Sequence, residues 1–392
     1  MIIFLILIGI VLMKEVIEML VGKLGYLIVC CAAFSLVYGL SSEMMGLNDR
    51  EMIYSRVFDM SRQIQTMPEL LNLANSRITS GKMFYIITWI ISRFTSDYNI
   101  YLFVLGVFFN ASITYYIGRY SNDPRMSFII YLALIYPLSF TIVRQCTAMI
   151  FVIIAIDMLY RKKHILALAL FAVAMMIHLS VVVLIVILFL RKVKFHKLTI
   201  LLVPVGVFLG MYGGNYIFRF MSFIVTDETY SSRYAITNGK GMAITAIAIR
   251  FLILLFLLVI ASINRDWFSK EDVNRIVHKK QNKSHNLFRI KWGDHEWVYD
   301  HYKISAIEPD VFLWSQLIST IFVSLMNILG EFQRMATYYD INLVVAVPRA
   351  IGTLKKRDNF IVSIIIIVLF IVYFLYFQLD NWNIRQYRFF WQ

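Results

Sequence analysis

The sequence predicts an all-α polytopic membrane protein of about 11–12 transmembrane helices, and three observations carry that reading. Of its 392 residues, 60% are hydrophobic and only 16% are charged, with a mean hydropathy of +0.70. Soluble domains average about 45–50% apolar and about 25% charged residues. Runs of about 18–20 apolar residues recur along the whole chain, the length needed to cross a bilayer's hydrocarbon core as a helix. The alternating segments of about ten residues that mark a membrane β-barrel are not seen in the sequence.

In chain order the apolar segments fall near 1–13, 24–42, 99–118, 126–142, 144–160, 164–190, 198–218, 244–263, 310–330, 337–352 and 359–379. The first, MIIFLILIGIVLM, is followed by charge rather than by a small-residue cleavage site, so it does not read as a cleavable leader. KMFYIITWIISRF at 82–94 is shorter than the roughly 17 residues a crossing usually needs, which predicts a short re-entrant or interfacial helix. The basic stretches RKKH (161–164), RKVKFHK (191–197), KKQNKSHNLFRIK (279–291) and LKKR (354–357) belong in the cytoplasm under the positive-inside rule. Segment 164–190 then begins and ends on the same side, so it must be a helical hairpin or broken helix with its midpoint at His178 in AMMIHLSVV. The same bookkeeping puts the 43–80 and 219–243 loops, Arg144 and a GEFQRMATYY turn (330–339) outside. One basic, aromatic loop, 264–308, falls inside and is too short for a core of its own, leaving a single integral-membrane domain over 1–392.

The net charge of +14 fits basic loops held on anionic lipid better than nucleic-acid binding. Cys30, Cys31 and Cys146 lie in or beside apolar segments without a C-x-x-C pair, so neither a zinc site nor a disulfide frame is indicated. There is no phosphate loop, no G-x-G-x-x-G and no G-x-S-x-G elbow. His285, Asp294, His295, Glu296 and His301 match no known ligand frame, so no metal and no cofactor are expected.

In a membrane protein the informative residues are polar ones that hydropathy does not explain. Here they gather on the predicted outer side. Asp49, Tyr54 and Arg56 lie in NDREMIYSRVFD, Arg144 and Gln145 open an apolar helix, and His178 sits at the hairpin tip. Arg233 and Tyr234 lie in TYSSRYAI, Arg334, Tyr338 and Tyr339 in EFQRMATYYD, and Arg385, Tyr387 and Arg388 close WNIRQYRFFWQ. An arginine presents a planar fork of donors that matches a pair of phosphate oxygens and stays protonated. Arginines on the face that the positive-inside rule depletes therefore point to a phosphate or diphosphate ligand, against the blander reading that they snorkel to headgroups. His178 suits proton transfer or phosphate binding. Asp49 and Glu331 are candidate general bases, Asp49 the better placed.

The chain resembles the EpsG family of bacterial exopolysaccharide-biosynthesis proteins, which belongs with the Wzy-type glycan polymerases. The resemblance rests on Asp49 and Tyr54, on Arg144-Gln145-Cys146-Thr147-Ala148, on the basic Arg161–Lys163 loop, on His178-Leu179-Ser180, on Arg233 and Tyr234 in SSRYA, and on Arg334 in QRMATYY. The sequence departs from it in carrying TSGKMFY where a Glu-x-Gly-aromatic motif usually precedes the short helix, and in a long 264–308 loop. The resemblance implies glycosyl transfer on the outer face of the bacterial plasma membrane. The donor is an oligosaccharide repeat unit on undecaprenyl pyrophosphate, the acceptor another such lipid-linked unit, and undecaprenyl pyrophosphate leaves. On that footing Asp49, His178 and Arg144 are the expected catalytic residues. Arg144, Gln145, Arg233, Tyr234, Arg334, Tyr54 and Tyr338 are expected to hold diphosphate or sugar, without a metal. Expected partners are membrane lipids, a flippase and a chain-length regulator. Two other functions share the anion-binding arginines: a transporter or flippase for the lipid-linked glycan, and a cell-envelope ligase or acyltransferase. A structural scaffold leaves Arg144 without a purpose.

Overall fold

The computed structural model describes residues 1–46, 49–77, 81–161, 163–190, 193–213, 240–264, 267, 290–292, 295–297, 309–326 and 331–391. The described residues are helical nearly throughout. Helices α1 (Ile2–Leu12) and α2 (Lys14–Gly39) open it, α2 being kinked at Gly22, whose φ of +74° a residue with a side chain rarely adopts. A π-helical turn (Arg50–Tyr54), α3 (Ser55–Gln63) and α4 (Met67–Arg77) fill most of the 43–80 stretch, which is folded rather than a bare loop. Then follow α5 (Lys82–Ser92), α6 (Tyr98–Tyr120), α7 (Pro124–Leu134), the short α8 (Tyr136–Ser139), α9 (Val143–Tyr160) and α10 (His164–Ile177). After a 3₁₀ stretch (Leu179–Leu184) come α11 (Ile185–Leu190), α12 (Leu202–Tyr212), α13 (Lys240–Ile263), α14 (Pro309–Leu325), α15 (Glu331–Gly352) and α16 (Lys356–Tyr373). A three-residue antiparallel pair, Ile290–Trp292 with His295–Trp297, lies within the 264–308 loop.

Among the described residues, five helices are long and apolar enough to cross a membrane: Lys14–Gly39, Tyr98–Tyr120, Val143–Tyr160, Ile244–Ile263 and Lys356–Asn381. Six shorter apolar helices accompany them. The outward faces of α2 and α16 expose Leu20, Ile28, Leu36, Ile364, Val368 and Leu369, an apolar exterior suited to lipid. This is a polytopic α-helical membrane protein.

Local chemistry sets the helix ends. Asp97 and Asp123 accept backbone N–H groups two residues on and so cap α6 and α7, and Pro124 follows at the first helical position. Pro137 cannot continue the α7 hydrogen-bond ladder, so the apolar segment expected at 126–142 is split and α9 starts afresh at Val143. The segment expected as a turn at 330–339 is instead the first half of α15, one helix from Glu331 to Gly352.

α15 runs through the middle of the bundle and is buried along most of its length, packed against α14 and α7. Polar ties fix the centre. Arg250 on α13 pairs with Asp340 on α15 at 2.5 Å, and Ser319 on α14 donates to the same carboxylate at 2.5 Å. Asn342 bonds Ser315 at 2.9 Å and accepts from Tyr116 at 3.1 Å. Gly206 and Gly210 let α12 approach α14 closely: a side chain at 210 would overlap the Ser324 backbone.

Candidate functional site at the start of α9

Four segments converge where α9 begins. The α8 turn delivers Arg144 and Gln145 as the second and third residues of α9. Arg144 is half-buried and its Nε has no hydrogen-bond partner. Its guanidinium lies against Gly81, the residue before α5, where a Cβ would sit 3.2 Å from Arg144 Nη1 and 3.1 Å from the Ile177 carbonyl. Gly81 has a φ of +103°, so both the backbone and the space require glycine there. The short helix expected at 82–94 thus aims its N-terminal end at Arg144.

The second segment is the break in 164–190. α10 stops at Ile177, His178 takes an extended backbone (φ −149°, ψ 110°), and the chain resumes as a 3₁₀ helix. The interruption expected at His178 is therefore real, and it takes the form of a broken helix: α10 packs along α9, and α11 packs on α14. His178 is only 9% exposed and its Nε2 has no partner. Its imidazole lies within electrostatic reach of both Arg144 and Arg334.

The third segment is the first turn of α15. Arg334 Nη1 meets Glu331 Oε1 at 3.0 Å and Nη2 meets Asp49 Oδ2 at 3.4 Å. Gln145 Nε2 donates to the Arg334 carbonyl at 2.6 Å, tying α9 to α15, and its buried Oε1 is left without a partner. One turn on, the Tyr338 hydroxyl lies 3.2 Å from Ser180 Oγ, which fastens α15 to the segment just after His178.

The fourth is Asp49 with the π-helical turn that follows it. At 100° per residue, Asp49 and Tyr54 would lie about 140° apart on an α-helix. A π turn, bonded i to i+5, closes that gap. Ser55 N–H accordingly bonds the Arg50 carbonyl, and the Tyr54 phenol shares the electrostatic neighbourhood of Asp49, Arg144 and Arg334. Burial pushes the Asp49 carboxyl above the usual aspartate range, and Arg334 and then Arg144 pull part of that rise back.

The structure thus brings together Asp49, Tyr54, Arg144, Gln145, His178, Arg334 and Tyr338. Gln145 and Tyr338 are both buried and serve as interhelical ties. Arg334 meets two carboxylates, whereas Arg144 forms no ion pair within 4.0 Å among the described residues. Arg233 and Tyr234, with most of the 219–243 loop, lie outside the described residues. Arg385 is elsewhere, paired with Asp380, and Tyr387 bonds the Val37 carbonyl at 2.7 Å. Sequence reasoning missed Gly81 and Arg50 as parts of this constellation. The glycine of TSGKMFY directly before an apolar helix was the available signal for the first.

A bundle of membrane helices with arginines, a histidine and carboxylates gathered at one end of α9 and α15 is a polytopic membrane protein with a polar cluster set into an apolar frame. The sequence profile of the EpsG family matches residues 26–389, nearly the whole chain, and the protein belongs to that family. No curated protein and no solved structure gives a significant match. Membership makes this a membrane protein of exopolysaccharide biosynthesis.

Proposed function

We propose that the protein is a glycan polymerase: it transfers an oligosaccharide repeat unit from undecaprenyl pyrophosphate to the end of another lipid-linked unit, on the outer face of the bacterial plasma membrane. The observation that carries this reading is Arg144, an arginine in the first turn of a largely apolar helix with no carboxylate partner within 4.0 Å among the described residues. Its Nε is buried without a partner, and its guanidinium lies against Gly81, as does the Ile177 carbonyl just before His178, whose buried Nε2 is also unpartnered. A diphosphate supplies the acceptor oxygens these donors lack.

The acceptor hydroxyl oxygen bonds the anomeric carbon, and the bond from that carbon to the diphosphate oxygen breaks. Its electron pair leaves on the diphosphate. Arg144 faces the charge that develops there, from a half-buried position where such a contact is stronger than in bulk water. Arg334, braced by Glu331 and Asp49, supports the same anion from α15. The hydroxyl proton passes to Asp49 or His178. Membrane lipid delivers both substrates laterally, and a flippase and chain-length regulator are the proposed partners.

Reconstitution with a purified lipid-linked oligosaccharide tests this, with chain length read on a gel. A ladder of products is expected. Disappearance of substrate without lengthening assigns the site to ligation, and movement of the intact lipid between leaflets assigns it to transport.

A further inference from the structure

Arg50 is wholly buried, with 0% of its surface exposed. No carboxylate lies within 4.0 Å of it among the described residues. Nη1 donates to Ser41 Oγ at 2.7 Å, and Nε and Nη2 have no partner among the described residues. A charge this dry is costly, and it is tolerated here by two aromatic faces. The guanidinium carbon lies 4.2 Å from the centre of the Tyr38 ring and 4.8 Å from that of Phe140.

Those contacts connect three pieces of the chain. Tyr38 and Ser41 close α2, and Ser41 forms a bridge to Phe389 in the tail. Phe140 belongs to the turn that ends just before Val143 and Arg144. Arg50 itself follows Asp49, and its carbonyl accepts from Tyr98 at 2.8 Å as well as from Ser55. Gly46 makes the second fastening: with φ +88°, it lies so near the Phe140 carbonyl and Thr141 Oγ1 that a Cβ would stand 2.8 Å from each.

We infer that Arg50 is a positioning residue: its guanidinium, held between the Tyr38 and Phe140 rings, locks the segment carrying Asp49 to the turn that launches Arg144, and so sets where the Asp49 carboxylate stands relative to the two site arginines. A neutral side chain of similar length keeps the bundle folded and lets Asp49 drift from Arg334. The activity arm of the test rests on the proposed polymerase reading; a distance arm does not.

The proteins compared are wild type, Arg50→Met, Arg50→Lys and Arg144→Lys, in lipid nanodiscs. In Arg50→Met the thermal midpoint holds or rises, because an unpaired buried charge is gone. Its kcat on the lipid-linked oligosaccharide falls at least about tenfold at nearly unchanged KM. Arg50→Lys restores part of kcat, since an ammonium still sits over the rings. Wild-type kcat in Arg50→Met, or a loss of kcat that follows a lowered midpoint and is not relieved by lysine, overturns the inference. Spin labels at Glu51 and Gln333 give the second arm. A distance distribution that broadens in Arg50→Met supports the positioning role even if Arg144→Lys proves fully active and the polymerase reading falls. A distribution as narrow as wild type overturns it.

Discussion

The two ends of α9 carry the same kinds of residue in opposite conditions. In the last turn, Asp157 is fully buried and its carboxylate is saturated. Arg119 Nε and Arg161 Nη2 lie 2.9 and 2.8 Å from it, Tyr115 donates at 2.9 Å, and Tyr120 donates as well. Among the described residues, Arg161 Nε is the one buried atom of that group without a partner. In the first turn, Arg144 Nε, Gln145 Oε1 and the adjacent His178 Nε2 are all without partners. Folding satisfies buried polar groups wherever it can, because each unmade hydrogen bond costs about 1–3 kcal/mol. A cluster closed on itself is a fastening. One left open, with a guanidinium nitrogen, an amide oxygen and an imidazole nitrogen all unpartnered, keeps hydrogen-bonding capacity that a ligand can complete.

The sharpest way to break this contrast is to treat both ends alike. Asp157→Ala strands the buried Arg161 guanidinium, and frees the partly exposed Arg119, and should cost about 3–5 kcal/mol of stability, measured as a drop in thermal midpoint. The protein that remains folded should keep its activity per molecule. Arg144→Lys should do the reverse: an unchanged midpoint with turnover down on the order of 100-fold or more. If both substitutions cost stability equally, the two ends do not differ in kind.

Gly81→Ala sharpens the comparison at intermediate size. It forces a Cβ into a +103° backbone and against Arg144 Nη1. A strain of about 1–2 kcal/mol at that spot should lower turnover about tenfold. The pH profile gives a further check. Burial raises the Asp49 carboxyl from its usual 3.8, so its ionised form appears only above the ordinary aspartate range. With Asp49 taking the hydroxyl proton, activity should climb with pH along a limb above that range, and Asp49→Asn should abolish the limb. The smallest effect belongs to Tyr338→Phe, which removes one hydrogen bond to Ser180 and should cost about 0.5–1.5 kcal/mol of stability.

Much of this was legible in the sequence because a membrane makes polarity conspicuous. Arg144, Gln145 and His178 interrupt apolar runs, and the structure brings His178 within electrostatic reach of Arg144; the break at His178 followed from basic residues flanking both ends of 164–190. Helix interruptions set by local chemistry were harder. Pro137 splits an apolar run that hydropathy reads as continuous, and the charges of Glu331 and Arg334 made the first turns of α15 look like a connection when they pair within the helix. Least legible were partnerships between distant segments. Nothing in NDREMIYSRVFD says that Arg50 turns inward to two aromatic rings while Asp49, its neighbour, meets Arg334. That division depends on a π turn and on rings contributed from elsewhere in the chain.

The most direct measurement is the affinity of the purified protein in nanodiscs for undecaprenyl diphosphate, compared across wild type, Arg144→Lys and Arg119→Lys. The open-site account predicts binding at least about tenfold weaker in Arg144→Lys and unchanged in Arg119→Lys, the α6 residue that pairs with Asp157 at the saturated end of α9. Equal affinity in all three, or equal weakening in both variants, contradicts it.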